Sequence, residues 1–205
     1  MNYQNILTNN ENGISTITIN RPKQLNALNK LTINELHHAI TTAQSNDTVR
    51  VLILTGEGEK AFIAGADIKE FAGFSQQEGE KLSSEGHDKL FNLVENLSKP
   101  VISAINGFAL GGGLELAMAS HIRIAAESAK LGLPEVGLGV IPGYGGTQRL
   151  AQLTGKGKAM ELIMTANMIN AQEALKIGLV NHVVPLSELK DFSIKMASRI
   201  MRNSP

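Results

Sequence analysis

The chain has 205 residues, enough for one domain with a core that needs no covalent staples, and its 42% hydrophobic and 19% charged residues are ordinary for a globular protein. Acidic and basic residues balance at 19 each, which excludes the bulk basic field that nucleic-acid binders usually carry. Cysteine is absent, which excludes disulfides, thiol catalysis and thiolate metal ligands.

The opening residues, Met1-Asn2-Tyr3-Gln4-Asn5, show no basic or apolar leader, and no apolar run approaches the roughly 18–20 residues of a membrane span. A cytoplasmic location is the expectation. Residues 9–13 read as a mobile loop. Residues 13–20 alternate through Ile17 and Ile19 as a strand. Residues 28–45 place Ile33, Leu36, Ile40 and Ala43 on one helical face. Residues 49–55 form a Val, Ile and Leu run with the look of a strand buried on both sides, closed by Gly56 and a second mobile loop at 56–60. A helix is expected over 75–98 through Leu90, Leu93 and Leu97, ended by Pro100, and then a strand over 101–105. Residues 111–119 are apolar enough for a fully buried helix, and 121–126 alternate as a strand. Helices follow over 146–154, 156–166 and 170–177, then a strand over 180–184 and an amphipathic helix over 187–203. Repeated strand, strand, helix points to an α/β protein with mostly parallel strands.

Three stretches carry chemistry. In the first, Asn106 to Glu115, a strand meets three consecutive glycines and then a helix. The helix start presents unpaired N–H groups and a positive dipole end, which suit a developing oxyanion; tight packing explains the glycines equally well. The second stretch, Leu133 to Leu150, holds Glu135 in apolar company. Such a carboxyl should titrate high, as a general acid requires, although a surface glutamate after a proline is the plainer reading. Neither Gly143-Tyr144-Gly145-Gly146 nor Gly155-Lys156-Gly157-Lys158 has the context of a nucleotide-binding loop. In the third, Ala61 to Glu70, an apolar strand end breaks into a turn whose N–H groups can supply a second donor. The five histidines show no metal-ligand spacing, so no metal is expected. His121 reads as structural.

Taken in order, these pieces resemble the crotonase (enoyl-CoA hydratase/isomerase) family over essentially the whole chain. The resemblance runs from Asn20-Arg21-Pro22 and Asn26-Ala27-Leu28, through Ala64-Gly65-Ala66-Asp67, to Pro142-Gly143 and Gly145-Gly146-Thr147-Gln148-Arg149-Leu150. It implies a spiral of ββα repeats and a coenzyme A thioester substrate, with no separate cofactor. It implies Ala66 and Gly112 as oxyanion-hole donors, Glu115 as the water-activating carboxylate and Glu135 as its partner at C2. Ala64, Asp67, Ile68 and Lys69 would line the coenzyme A path, with Lys23 and Lys69 as candidates for its phosphates.

Two carboxylates favour reversible hydration of a 2-trans-enoyl-CoA, because addition of water needs a base at C3 and an acid at C2. Isomerisation needs one proton shuttle. The other readings are a short-chain 3-hydroxyacyl-CoA dehydratase, an enoyl-CoA isomerase, an inactive fragment, and RNA binding, which a lone Lys30 on the 28–45 helix disfavours. Family members form trimers or dimers of trimers through further C-terminal helices. The ending Arg202-Asn203-Ser204-Pro205, directly after an amphipathic helix, reads as the start of a linker. The expectation is a core domain at 1–185 and the start of a truncated helical region at 186–205.

Overall fold

A computed structural model of the chain describes residues 2–67, 70, 73 and 75–204. Two strands open it, β1 (Ile6–Glu11) and β2 (Ile14–Ile19), followed by α1 (Lys30–Ser45). Three strand, strand, helix turns come next. The first is β3 (Val51–Gly56), β4 (Ala61–Ile63), α2 (Gln76–Gly86) and α3 (Asn92–Glu95). The second is β5 (Val101–Ile105), β6 (Phe108–Leu110) and α4 (Gly112–Ala119). The third turn is β7 (Ile122–Ala126), β8 (Lys130–Gly132), α5 (Gly146–Thr154) and α6 (Lys156–Thr165). The chain then passes through β9 (Ile169–Asn170), α7 (Ala171–Lys176), β10 (His182–Val184) and α8 (Leu189–Met201).

The strands are dealt to two sheets, in the orders β1-β2-β3-β5-β7-β10 and β4-β6-β8-β9. Each ββα turn therefore adds one strand to each sheet, which is the spiral that the resemblance implied. Pairing is parallel except for β1 with β2 and β8 with β9. The central strands β3 and β5 are apolar because both faces of the larger sheet are covered. On one face Val51, Ile53, Ile102, Ala104 and Ile124 pack with Leu189 and Ala197 of α8. On the other, Leu52, Leu54, Val101 and Ile105 join the main core with Leu36 and Ile40 of α1 and most of α4. Among the described residues no helix is long and apolar enough to cross a membrane.

Side chains fix the turns that carry the site. The buried Asn106 amide donates to the carbonyls of Gly56, Gly58 and Ala61, and its oxygen accepts from the Gly56 N–H at 3.1 Å. Asn26 does the same from the other side, donating to Glu57 and Ala61 and accepting from the Arg21 N–H. A side chain at Gly107 has no room, since its β-carbon would stand 2.3 Å from the Lys60 carbonyl oxygen.

Four expectations need correction. Residues 9–11 are not loop but the end of β1, and Asn12 and Gly13, with φ of 51° and 81°, form a tight hairpin turn. The short strands β8 and β9 were not foreseen. The helix expected over 75–98 is interrupted by a π-helical turn, His87–Phe91, and stops at Glu95. The helix expected over 170–177 starts one residue later, because Asn170 is its cap and accepts from the Glu173 N–H at 2.8 Å.

Candidate active site

Every residue of α4 is buried, so its one charged side chain, Glu115, is only 1% exposed. A carboxyl there needs partners. Its Oε1 accepts two backbone N–H bonds, from Tyr144 and from Gly146, each at 2.8 Å. Tyr144 lies on the glycine-rich loop before α5, and Gly146 is the first residue of that helix. Gly146 must lack a side chain, because a β-carbon there would stand 2.9 Å from Glu115 Oε1.

Glu135 comes from a different element, the 3-10 turn Glu135–Leu138 after Pro134. It is half-buried, and its Oε2 is a buried atom without a hydrogen-bond partner. Burial pushes Glu135 above the usual carboxylate range. Burial likewise lifts Glu115, to about 7; the nearby Glu135 charge adds to the rise, while the Gly146 and Tyr144 N–H groups and Arg149 oppose it. The Glu135 charge is thus felt at Glu115, and both carboxyls are held above the usual carboxylate range.

Each glycine of the triplet has its own reason. Gly111 adopts φ +50°, and a β-carbon there would stand 2.7 Å from Glu135 Oε1. Its own N–H is used by the sheet, donating to the Gly132 carbonyl at 2.9 Å. Gly112 is the first residue of α4, so its N–H has no partner within the helix. A β-carbon on Gly113 would collide with the Ile63 carbonyl oxygen at 2.0 Å. Close approach and packing both operate, on different glycines.

The second donor segment is tied to Leu28. Leu28 N–H donates to Gly65 at 2.9 Å, and Asp67 N–H donates to Leu28 at 2.7 Å, across a parallel bridge between Leu28 and Ala66. That pattern uses the groups on either side of Ala66 and turns the Ala66 N–H to the opposite edge. The Gly65 Cα lies 3.8 Å from the place of a Gly111 β-carbon, so the two turns are neighbours. Ala64 N–H donates to Leu25 at 3.1 Å. The Asp67 carboxylate pairs with Arg21 at 2.9 Å, and Arg21 also donates to the Ala27 carbonyl.

The structure therefore brings Glu115, Glu135, Gly112 and the 64–67 turn together. Lys23 is exposed on the 3-10 turn Pro22–Gln24. Ile68 and Lys69 lie outside the described residues. His121 accepts the Val101 N–H at 2.9 Å through Nδ1, and burial and the Arg123 charge lower its pKa. Among the described residues no group of three or more His, Asp or Glu side chains is arranged to hold a metal.

Several participants were not foreseen. The N–H clamp from Tyr144 and Gly146 is one; its only trace in the sequence is the glycine run before α5. Arg21 and Asn26 were quoted in the resemblance without a role. Tyr144 itself is buried, its ring stacked on Phe91 with centroids 4.4 Å apart and planes 7° from parallel. Burial and the charges of Glu115 and Glu70 push its phenol up to about 12, so it stays neutral.

A family model described as Enoyl-CoA hydratase/isomerase matches residues 9–205. The chain is 50% identical over 205 residues to the short-chain-enoyl-CoA hydratase of Clostridium acetobutylicum, covering 100% of this chain and 78% of that protein. It is 51% identical over 201 residues to the crotonyl-CoA hydratase of Syntrophomonas wolfei, covering 98% and 77%. The crystal structure of an enoyl-CoA hydratase from Bacillus anthracis matches with a TM-score of 0.95 at 47% identity, covering 98% of this chain and 78% of that one.

Proposed function

Because the chain belongs to the enoyl-CoA hydratase/isomerase family, we propose that it adds water reversibly to a 2-trans-enoyl-CoA, giving the 3-hydroxyacyl-CoA. One observation carries this reading above all. Two carboxyls from separate elements, the buried Glu115 and the half-buried Glu135, lie close enough to interact, beside the N-terminal end of α4.

The thioester oxygen accepts hydrogen bonds from the Ala66 and Gly112 N–H groups. As water attacks C3, the C2–C3 π pair shifts toward C1 and charge builds on that oxygen, where the two N–H groups and the α4 dipole stabilise it. Glu115 takes the proton of the attacking water. Glu135 gives its proton to C2 as the carbonyl re-forms. The proton on Glu115 then returns to Glu135, and the site is reset. The double N–H clamp on Glu115 Oε1 supports its role as base, since such bonds favour the anion. The unpartnered Oε2 of Glu135 supports its role as acid, since no protein group competes for a proton there.

The reaction needs no cofactor beyond the coenzyme A that the substrate carries. Ala64 and Asp67, with Ile68, Lys69 and Lys23, remain the residues that we assign to the coenzyme A path. The protein would work as a homo-oligomer, a trimer or dimer of trimers, in cytoplasmic fatty-acid or related acyl-CoA metabolism. The names of the two relatives near 50% identity support a short acyl chain.

The test is direct. Purified protein mixed with crotonyl-CoA should remove the conjugated enoyl-thioester absorbance and yield 3-hydroxybutyryl-CoA by mass. Migration of the double bond with no gain of water would instead indicate an isomerase.

A further inference from the structure

Glu115 depends on a loop, and that loop depends on one side chain. Arg149, on α5, is 5% exposed. Its Nη1 donates to the Tyr144 carbonyl at 2.6 Å, and the Tyr144 N–H in turn donates to Glu115 Oε1 at 2.8 Å. Its Nη2 donates to Glu95 Oε2 at 2.6 Å and to Asn92 Oδ1 at 3.2 Å, both on α3. The loop lies hard against the guanidinium: a β-carbon on Gly145, where φ is +88°, would stand 2.4 Å from Nη1 and 2.8 Å from His87 Cε1. Glycine at 145 is what lets the loop sit so close.

From this geometry we infer that Arg149, tethered by Glu95, is a positioning residue for Glu115: it fixes the loop whose N–H groups clamp the carboxylate and supplies a positive charge behind it. The inference rests on the reading of Glu115 as the catalytic base. A bidentate planar group suits the task, because it grips a carbonyl and a carboxylate at once in a fixed fork. A lysine reaches one of them.

The charges around this chain of contacts are few. Glu135 and Tyr144 face Glu115, and Glu70 acts on Tyr144. Glu95 and His87 face Arg149. His121 and Arg123 line a cavity of about 200 Å³ that Glu95 and Arg149 also border. Of the charged side chains in this set, Arg149 is the one that lowers the Glu115 pKa, alongside the Gly146 and Tyr144 N–H groups.

The experiment uses the full chain with crotonyl-CoA and compares Arg149→Met, Arg149→Lys, Glu95→Gln and Glu115→Gln. Arg149→Met should lower kcat by about 10²-fold, the scale of a misplaced catalytic group, with KM nearly unchanged. Its acidic limb of kcat/KM should move to higher pH, because the charge favouring ionised Glu115 is gone. Arg149→Lys should keep the limb in place and lose part of the rate. If Arg149→Met fails to fold, Glu95→Gln decides: it should lower kcat several-fold with KM unchanged, and parental kcat there overturns the inference. A fall in melting temperature alone, with kcat and limb as in the parent, makes Arg149 purely structural and also overturns it. Full activity of Glu115→Gln removes the underlying reading instead, whereas an inactive Glu115→Gln beside a fully active Arg149→Met removes only this inference.

Discussion

Gly111 and Glu135 are packed so closely that a β-carbon on the glycine would stand 2.7 Å from the carboxylate Oε1. The backbone that launches α4 is thus the wall against which Glu135 is aimed. Gly111→Ala would clash with that carboxylate and strain a φ of +50°. We predict a loss of kcat of about 10²-fold, by displacement of Glu135, measured with crotonyl-CoA.

The neighbouring glycines should behave differently. Gly113→Ala would place a β-carbon 2.0 Å from the Ile63 carbonyl oxygen, in backbone that cannot yield. It should destabilise the fold by roughly 3 kcal/mol. Gly112→Ala meets its nearest atom, on the Tyr144 ring, at 3.5 Å, which is ordinary contact. It should fold with a urea midpoint close to the parent. Equal midpoints for the two variants would contradict this division.

The burial of Glu115 makes a prediction about stability and pH. Its pKa is raised from 4.5 to about 7, so folding carries no charge-burial cost below about 4.5 and the full cost above about 7. Stability from this group is lost as pH rises through that window. Glu115→Gln keeps an oxygen for the two N–H donors and removes the charge. The variant should be more stable than the parent at pH 8, by up to roughly 3 kcal/mol, and equal to it near pH 4. Urea unfolding at the two pH values reads the difference directly.

The same shift governs activity. A base that titrates at about 7 is ionised only above that pH, so kcat/KM should fall as pH drops through about 7. A profile flat from pH 5 to 8 would remove Glu115 from the role of base.

The ion pair of Arg21 and Asp67 anchors the turn that carries Ala66, and both side chains are largely buried, at 12% and 17% exposure. Asp67→Asn should loosen that turn. Expected are a kcat/KM about 10-fold lower and a stability loss of about 1 kcal/mol, read by steady-state kinetics and thermal melting.

Much of this architecture was legible in the sequence. The strands β2, β3, β5 and β7 and the helices α1 and α4 announce themselves, because each buries a continuous face. β1 does not, since five of its six residues are exposed at a sheet edge. The Asn12-Gly13 pair was the signal that could have exposed it. β8 and β9, of three and two residues, are too short to show a period. The π-helical turn at 87–91 escapes because no helix-breaking proline marks it. Its neighbour Gly86 is needed for a tertiary reason, a β-carbon there lying 2.8 Å from Tyr144 Cε1.

At the site, Glu115 and Glu135 were legible through their context and not by themselves. The clamp on Glu115 was not, because a backbone N–H from Tyr144 or Gly146 leaves no side-chain signature. Arg149 could be quoted from the sequence, but its role needs the distances to Tyr144 and Glu95.

The central claim is that Glu115 and Glu135 act together in one hydration, Glu115 on the attacking water and Glu135 at C2. The most direct measurement is the rate of hydration of crotonyl-CoA by Glu115→Gln and Glu135→Gln, singly and combined, in protein shown to be folded. Each single variant should lose about 10²–10⁴-fold in kcat, and the double variant should be little worse than either. Retention of parental kcat by either single variant would contradict the account.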